Sequence, residues 1–569
     1  MPIFRFLKLI WHSSPKWSSI YTVFLILNGI FPLFQLYIVK LIIDKIAMKL
    51  ESPTDTDPMS GIMIWLIFAG LIYLVSNVLQ NVEQWMRTIQ TQFLADHLLE
   101  IVHKKSIDVD LQYYEDSRFH DTLHRAQQEA RIRPGMLISN LSRIIRSSIS
   151  LLGISVLLFT LHWAIPCVLV AASLPLVFAR IKLSQKLYAW SREKTHNDRL
   201  SYYYSWLMTQ IAFAKEIRLF GLGDYFIKKF SAIRSVLRKK YSSIIIRKSL
   251  VELPIQMLNT ATLIAILVFI IKSNLSGKLT LGDVVMFMQA TIRAISSLSG
   301  MITGVSGVMQ NNLFLKNLFE FLDLEKSIIE SQHSTNINTR LKEGIRFCDV
   351  SFKYPNSDRL VLDNINLKLN PGEVIGLTGL NGSGKTTLIK LLCRLYEPSD
   401  GSIQIDGTDI REIDLCNLRR NISVLFQDYG RYFFTLKENI LLGGIEDSVD
   451  EDRLKSSMTI ALVDNIKQRF KNGLDQTLGT WFEKGTELSF GEWQRIALAR
   501  VLYQKAPIVI LDEPTSSQDM ESEQLISENI IRNRGDKIIL IISHRKEILN
   551  IADRVLVLTN GNQISEMEI

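Results

Sequence analysis

Long runs of residues without a single Asp, Glu, Lys or Arg constrain this chain more than any other feature. They cover residues 18–39, 59–82, 147–179 and 253–271 and contain 22, 24, 33 and 19 residues. About twenty apolar residues in a helix span the hydrocarbon core of a membrane. The run of 33 is too long for one span and contains Pro166, so we expect two helices joined by a tight turn. With a further apolar run, the sequence predicts six membrane-spanning helices, near residues 18–45, 59–83, 138–160, 164–187, 252–272 and 281–306.

Composition and charge narrow the class of protein. A chain with 47% hydrophobic and 21% charged residues is not a purely soluble enzyme, a disordered chain or a fibrous protein. Residues 180–250 contain 16 Lys and Arg but only 4 Asp and Glu. This bias is typical of cytoplasmic flanks of membrane helices. We favour it over a nucleic-acid surface, so no nucleic-acid partner is expected. The four cysteines have neither CxxC spacing nor neighbouring histidines, and no disulfide framework or zinc site is expected.

Two connections on the basic side are long, residues 83–133 and 180–252, and both contain apolar residues at helical spacing. We expect the spanning helices to continue through them as arms outside the membrane. In the sixth span, one helical face carries a polar stripe made of Gln289, Arg293, Ser296 and Gly300. The stripe is interpreted as the lining of a central cavity or, alternatively, as packing contacts between helices.

The second half of the chain carries a phosphate-binding loop. Composition turns polar at residues 331–342, which we interpret as a linker between a membrane domain of residues 1–330 and a soluble domain of residues 343–569. A strand at residues 373–378 runs into the pattern GxxxxGK[ST], and an apolar helix follows. Glycines let backbone N–H groups approach phosphates, and the helix N-terminus adds its positive end. The predicted nucleotide-binding residues of this loop are Gly379, Asn381, Gly382, Ser383, Gly384, Lys385, Thr386 and Thr387.

A second apolar strand, residues 508–511, leads into two carboxylates, Asp512 and Glu513. The loop pattern assigns Lys385 to the β- and γ-phosphates and Thr386 to Mg²⁺. Asp512 is predicted to hold the same ion, and Glu513 is predicted to polarise the attacking water as a general base. ATP and Mg²⁺ are therefore the expected cofactors.

A third motif points to a family. Residues 488–492, Leu-Ser-Phe-Gly-Glu, resemble the LSGGQ signature of ABC ATPases. The whole chain resembles a half-size ABC exporter of the type IV fold, with a six-helix membrane domain fused to an α/β P-loop ABC ATPase domain. Phe490 and Glu492 depart from the signature, whereas Ser489 and Gly491 keep the hydroxyl and the close backbone N–H groups. We expect the site to function with Phe490 turned away from nucleotide, and the effect of the Glu492 charge stays open.

The resemblance implies roles for further residues. Tyr354 resembles the aromatic that stacks on adenine, Gln427 the glutamine that senses Mg²⁺ and the γ-phosphate, and His544 the switch histidine that contacts the γ-phosphate. Residues 516–519 resemble the D-loop. The implied catalytic residues are thus Glu513, His544 and Lys385, the metal ligands are Thr386, Gln427 and Asp512, and the signature contacts to nucleotide are Ser489, Gly491 and Glu492.

The resemblance also implies an assembly. In this family the signature of one chain meets the P-loop of another, so we expect a homodimer with two equivalent ATP sites, unless a partner half-transporter exists. ATP-driven closure would switch a membrane cavity from inward- to outward-facing, with residues 117–122 and 215–218 as candidate coupling segments. The expected location is the cytoplasmic membrane, in contact with its lipid, with the ATPase domain in the cytoplasm.

The substrate is the least constrained expectation. Residues 114–127 and 426–440 resemble segments of bacterial lantibiotic and other peptide exporters, and we expect no peptidase domain before the membrane half. We expect export of a modified or small peptide, with lipid or multidrug export as the alternative. An ATPase that regulates a channel or remodels DNA is a third hypothesis, disfavoured by the six spans and the intact catalytic set.

Overall fold

The computed structural model describes two compact units of the chain. One comprises Met1–Asp108 with Ser117–Leu324, and the other comprises Val109–Asp116 with Glu325–Ile569. We call them the membrane unit and the ATPase unit. Within them the described residues are 2–51, 60–275, 279–328, 335–338, 340–355, 357–446 and 448–567. Five of the twelve residues of the predicted linker, 331–334 and 339, lie outside these residues.

The described residues of the first half are almost entirely helical. Six of their helices are long and apolar enough to cross a membrane, in agreement with the six predicted spans. The longest has 53 residues, or about 80 Å at 1.5 Å per residue, so it extends far beyond a hydrocarbon core. The helices are α1 (Pro2–Ser13), α2 (Pro15–Glu51), α3 (Ser60–Asp108), α4 (Leu111–Tyr114), α5 (Ser117–Leu161), α6 (Ala164–Glu193), α7 (Thr195–Thr209), α8 (Ile211–Leu219), α9 (Gly223–Leu275) and α10 (Leu281–Leu322).

Small residues bring α10 close to α5. A Cβ atom added to Gly300 would lie 2.6 Å from Ser147 Oγ, and one added to Gly304 would lie 2.6 Å from Ile144 Cγ1. Only glycine fits at such separations, and small residues let helix backbones approach closely in membranes. Gly300 of the polar stripe is therefore a packing residue.

Polar side chains of the spans pair with one another. Arg293 on α10 donates to Pro32 O at 3.3 Å and to Gln35 Oε1 at 2.9 Å, both on α2. The buried Glu83 of α3 accepts from Asn28 Nδ2 at 2.7 Å and faces Arg146 at 3.4 Å. These contacts join helices of one chain. They favour the packing interpretation of Arg293 over the cavity interpretation.

The ATPase unit is built around two sheets. One sheet has the strand order β2-β1-β4-β5 and is antiparallel, and the other has the order β10-β9-β3-β8-β7-β6 and is parallel except at β10. Every residue of β7 and β8 is buried, as expected for parallel strands covered on both faces. The strands are β1 (Ile345–Lys353), β2 (Leu360–Leu369), β3 (Val374–Thr378), β4 (Asp400–Ile405), β5 (Thr408–Asp409), β6 (Ile422–Leu425), β7 (Ile508–Asp512), β8 (Ile538–Ile542), β9 (Arg554–Thr559) and β10 (Gln563–Met567).

Helices pack against both sheets and complete the α/β architecture. Because β3, β7 and β8 are parallel neighbours, the segments that follow them emerge at one edge of the sheet, where ligands bind in such folds. The helices of this unit are α11 (Lys385–Leu392), α12 (Leu415–Arg420), α13 (Leu436–Leu441), α14 (Glu451–Ile460), α15 (Asp464–Gln468), α16 (Phe490–Tyr503), α17 (Met520–Arg532) and α18 (Lys546–Leu549).

One short segment of the N-terminal half belongs to the ATPase unit. Residues 109–116, which contain α4, cluster with this unit. Residues 117–122, the predicted coupling segment, belong to the membrane unit. Leu111 packs against its core. Glu115 accepts from Lys390 Nζ at 2.7 Å and from Tyr396 Oη at 2.6 Å. Burial opposes ionisation of Glu115, but these two hydrogen bonds outweigh it and lower the pKa of that carboxyl. The second predicted coupling segment, residues 215–218, lies in α8 of the membrane unit.

Candidate nucleotide-binding site

The loop between β3 and α11 has the backbone of a phosphate cradle. Gly384 precedes α11 with a φ of 103°, and a Cβ at this position would lie 2.6 Å from Leu362 Cδ2, so a side chain is excluded. Ser383 Oγ is buried and has no hydrogen-bond partner in the described part of the chain. A buried hydroxyl without a partner is costly unless a ligand satisfies it. Gly379, Asn381, Gly382 and Thr387 belong to the same β3–loop–α11 segment.

Lys385 is the first residue of α11 and folds back over this loop. Its Nζ donates to Gly379 O at 2.7 Å and to Leu380 O at 3.1 Å. Burial lowers the pKa of this lysine, although the neighbouring Asp512 and Glu513 oppose that shift. Neutral carbonyl groups are weak partners for an ammonium group, so phosphate oxygens would replace them favourably.

The carboxyl end of β7 brings Asp512 to the P-loop. Asp512 Oδ2 lies 3.5 Å from Thr386 Oγ1. Burial, reinforced by the charge of Glu513, raises the pKa of Asp512 to about 6. A buried carboxylate that is destabilised in this way, next to a hydroxyl, fits a divalent cation, because an ion would supply the missing positive charge.

Glu513 is held in an unusual backbone conformation beside Gln427. Its φ of 51° lies in the left-handed region, where strain is found mainly at functional sites. Gln427 Nε2 donates to Glu513 Oε2 at 3.3 Å. The hydrogen bond orients this carboxylate at the edge of the sheet where the P-loop also lies.

His544 lies in the segment after β8 and is exposed. The same segment is bonded to the segment that follows β7. The adjacent Arg545 donates to Ser516 O at 3.0 Å and forms an ion pair with the buried Glu523. Ser516 belongs to the D-loop segment. These two contacts hold the segment after β8 against the D-loop segment.

Tyr354 lies beside the P-loop helix. Its Oη is 3.1 Å from Thr387 Oγ1, and its ring meets those of Phe352 and Tyr396 edge-on, with centroids 5.0 and 5.3 Å apart. Lys390 Nζ lies 5.6 Å from its ring centroid. These contacts fix the ring next to α11.

The signature residues form the N-terminus of α16. Ser489 is the N-cap, and Glu492 closes a capping box, because Glu492 N donates to Ser489 Oγ and Ser489 N donates to Glu492 Oε2 at 2.9 Å. Glu492 also forms an ion pair with Arg469. The glutamate thus keeps the capping geometry that a glutamine provides, and the arginine offsets its charge.

Phe490 is half-exposed, with 50% of its surface accessible. Arg431 lies over its ring at 4.7 Å, and Tyr429 Oη donates to its carbonyl at 3.1 Å. Gly491 is confined by the D-loop, since a Cβ there would lie 2.6 Å from Ser517 O. A glycine is therefore required at position 491 but not at 490.

Sequence reasoning missed the residues that connect these motifs. The buried Gln494 donates to Glu513 O at 2.8 Å and to Ser516 Oγ at 3.1 Å, and accepts from Ser517 N at 3.2 Å. It links the signature helix to the segment after β7. Its position among apolar residues of α16 was the available signal, whereas nothing in the sequence marks Arg469 or Arg545.

The P-loop and the signature remain separate within one chain. Across the described residues, no hydrogen bond or ion pair joins the loop from Gly379 to Thr386 to any of Ser489, Gly491 or Glu492. Among the described residues, the polar groups of each motif are therefore not bonded to the other motif.

Comparison with known proteins identifies the class. Residues 362–516 match the family model of the ABC transporter, and residues 18–297 match that of the ABC transporter transmembrane region. The chain belongs to the ABC transporter family. It is a half-size ABC exporter, with one membrane region followed by one ATPase that couples ATP hydrolysis to transport.

Relatives with different cargoes share this architecture. The chain is 31% identical to the subtilin transport ATP-binding protein SpaT of Bacillus subtilis, over 95% of this chain and 86% of that protein. It is 28% identical to the nisin transport ATP-binding protein NisT of Lactococcus lactis subsp. lactis, over 98% and 91%. It is also 28% identical to the ATP-dependent lipid A-core flippase of Escherichia coli, over 77% and 73%.

A solved structure shows the same fold. The bacterial Atm1-family ABC exporter with ATP bound superposes with a TM-score of 0.85, covering 96% of this chain and 94% of that one, at 19% identity. The likeness extends over both units of the chain.

Proposed function

We propose that this chain forms a homodimer in the cytoplasmic membrane and exports a modified or small peptide. The peptide assignment rests on how much of the chain is matched. The subtilin and nisin transport proteins match 95% and 98% of this chain, whereas the Escherichia coli flippase matches 77%. That flippase makes lipid export the second candidate. The charge bias of residues 180–250 supports a cytoplasmic ATPase unit.

The P-loop side of the site would bind ATP. Lys385 and the backbone of Gly379, Asn381, Gly382, Ser383 and Gly384 bind the phosphates, the Thr387 segment supports them, and Tyr354 stacks on the base. Mg²⁺, held by Thr386, Gln427 and Asp512, would offset charge on the phosphates. Asp512 supports this assignment because its carboxylate is buried beside a second carboxylate, which favours a bound cation.

Glu513 is assigned as the general base and His544 as the contact to the γ-phosphate. Gln427 orients the Glu513 carboxylate, which then accepts a proton from the attacking water. Because Ser516 and Ser517 bond to Gln494, movement of the D-loop segment reaches the signature helix directly.

The signature of a second copy would complete each site. Ser489 Oγ accepts the Glu492 N–H, so its own hydrogen is free to be donated to a phosphate oxygen. Gly491 and Glu492 lie in the same helix start, whose positive end favours an anion. The separation of signature and P-loop within one chain supports two composite sites per dimer.

The assembly is tested by measuring mass and ATP turnover together, with full-length protein in nanodiscs sorted by the number of copies. Discs with two copies are expected to hydrolyse ATP, and discs with one copy are expected to be nearly inactive. Monomers that turn over ATP at the full rate would refute the homodimeric site.

The cargo is tested in the two-copy discs by adding candidate peptides or candidate lipids. Peptides are expected to stimulate turnover, and lipids added to the disc are not. Stimulation by lipid alone would replace the peptide proposal with the flippase alternative.

A further inference from the structure

The membrane unit contains a basic cavity, defined here as the space of about 690 Å³ enclosed by α5, α6, α9 and α10. Ten of its fifteen lining residues are polar or charged. The charged ones are Arg133, Arg180 and Lys248, and no Asp or Glu lines it. Sites for small ligands have volumes of about 300–1,000 Å³. Its size suits a short peptide segment.

The cations of the basic cavity differ in their partners. Arg180 Nε lies 3.1 Å from Glu252, and Arg133 lies 3.6 Å from Glu129. Lys248 has no ion-pair partner within the described residues. A partly buried ammonium without a counter-ion is unfavourable, so an anion at this position would gain a charge-assisted hydrogen bond.

An adjoining cavity of about 230 Å³ has a mainly apolar inner surface, with cations among its lining residues. It shares Leu183 and Lys248 with the basic cavity and is lined by Lys182, Lys186 and Arg247, with Glu252 as its one acidic residue. The two cavities together have six cations against the two glutamates that pair with Arg133 and Arg180. The excess positive charge therefore extends along the junction of α6 and α9.

An unpartnered hydroxyl points to a ligand as well. Ser184 lines the basic cavity, is 3% exposed, and its Oγ has no hydrogen-bond partner in the part of the chain that is described. On the opposite wall, α10 contributes Gln310, together with Thr303 and Asn311, which already accept hydrogen bonds from Arg180 and Arg133. Such groups complement peptide amides, whereas a lipid acyl chain requires an apolar wall.

The cavity lies where membrane spans end on their basic side. Arg180 directly follows the charge-free run of residues 147–179, and Lys248 precedes the run of residues 253–271. A substrate that enters from this side meets the cations before it meets the apolar spans. Lipid headgroups also bind basic clusters at this depth, and the apolar surface of the adjoining cavity suits an acyl chain as well as an apolar peptide side chain, so the test below includes an anionic lipid.

We propose that the basic cavity binds a carboxylate group of the exported peptide, with Lys248 as its main charge partner. This inference rests on the proposed peptide export and adds a preference for acidic over neutral segments. Lys248 binds the carboxylate, and Ser184 donates its hydroxyl hydrogen.

The test is peptide binding without nucleotide, measured by fluorescence anisotropy with the full-length dimer in phosphatidylcholine nanodiscs. The probes are two labelled peptides of equal length, one rich in Glu and one with each Glu replaced by Gln. The acidic peptide is expected to bind about tenfold more tightly, the factor that one charged hydrogen bond supplies. Lys248→Gln should remove this preference, and Lys248→Arg should retain it.

Lys228→Gln is the matched control, because Lys228 is exposed on the same helix α9 and lines neither cavity. The preference should survive in this variant. Equal binding of both peptides by the unmodified protein would overturn the acidic-site proposal while leaving ATP-driven export intact. A second result would also overturn the acidic-site proposal. If phosphatidylglycerol in the disc abolishes the preference for the acidic peptide and Lys248→Gln leaves that preference unchanged, the cations bind lipid phosphate. Stimulation of ATP turnover by either peptide, measured separately, reports on export itself.

Discussion

The two units of this chain use polar side chains in different ways. In the ATPase unit, Ser383 Oγ has no described partner and Asp512 is an unfavourable carboxylate, so both await a ligand. In the spans of the membrane unit, Arg293 is satisfied by Gln35 and Glu83 by Asn28, so both hold helices together. Ser383 and Asp512 thus mark a place where a ligand binds, whereas Arg293 and Glu83 mark contacts that hold helices together. Ser184 of the basic cavity is an exception within the spans, since its hydroxyl has no described partner.

The largest effect should come from the catalytic carboxylate. Glu513→Gln keeps the shape of the side chain but cannot accept the proton of the attacking water. ATP turnover in nanodiscs should fall about 100-fold or more, while binding of a fluorescent ATP analogue is retained. Near-normal turnover would remove Glu513 from its assigned role.

A second large effect should appear in the stability of the nucleotide-free protein. The pKa of Asp512 is raised to about 6 in the folded chain, against about 3.9 in unfolded chains. The folded state therefore disfavours the charged form, so this group destabilises the fold above pH 6 and ceases to do so below about pH 4.

Asp512→Asn removes that charge. In melting experiments on the full chain without Mg²⁺ or ATP, the variant should be more stable by about 3 kcal/mol at pH 8. The gain should shrink through pH 6 and vanish near pH 4. A gain that is independent of pH would contradict the raised pKa.

A smaller effect is expected at the signature. Arg469→Ala leaves the Glu492 carboxylate uncompensated where a phosphate should bind, and we expect a rise of about fivefold in the KM for ATP. In the double variant with Glu492→Gln the KM should return to near its original value. Such rescue distinguishes charge compensation from a general loss of structure, and an unrescued double variant would argue against it.

The smallest effect belongs to the spans. Arg293→Met removes interhelical hydrogen bonds to Pro32 O and Gln35, which are worth about 0.6 kcal/mol on average in membrane proteins. We expect a slight loss of thermal stability and unchanged stimulation by substrate. A selective loss of that stimulation would restore Arg293 to a transport cavity.

Sequence patterns predicted the parts of the molecule that depend on local chemistry. Charge-free runs indicated six spans, and the loop ending in Lys385 and Thr386 indicated the nucleotide fold, because each feature is written in consecutive residues. Gln494, Arg469 and Arg545 were missed because their partners are distant in sequence. The basic cavity was missed for the same reason, since four helices contribute its walls.

The separate short segment of residues 109–116 was not marked in the sequence analysis, which named residues 117–122 as a candidate coupling segment. The helical pattern runs on through residues 117–122, but α3 ends at Asp108 and Asp110 precedes α4. Aspartates at these positions favour a break in the helix, and the sequence analysis did not use this signal.

The anchoring of Glu115 to Lys390 has a mechanical consequence. Lys390 belongs to α11, the helix that begins at the P-loop, and only the eight residues 109–116 lie between α3 and the start of α5 in the chain. Eight residues span at most about 28 Å when fully extended, so residues 109–116 keep the end of α3 and the start of α5 within that reach of each other. A movement of α11 that carried Glu115 along would act first on this short segment, which peptide bonds join to both helices.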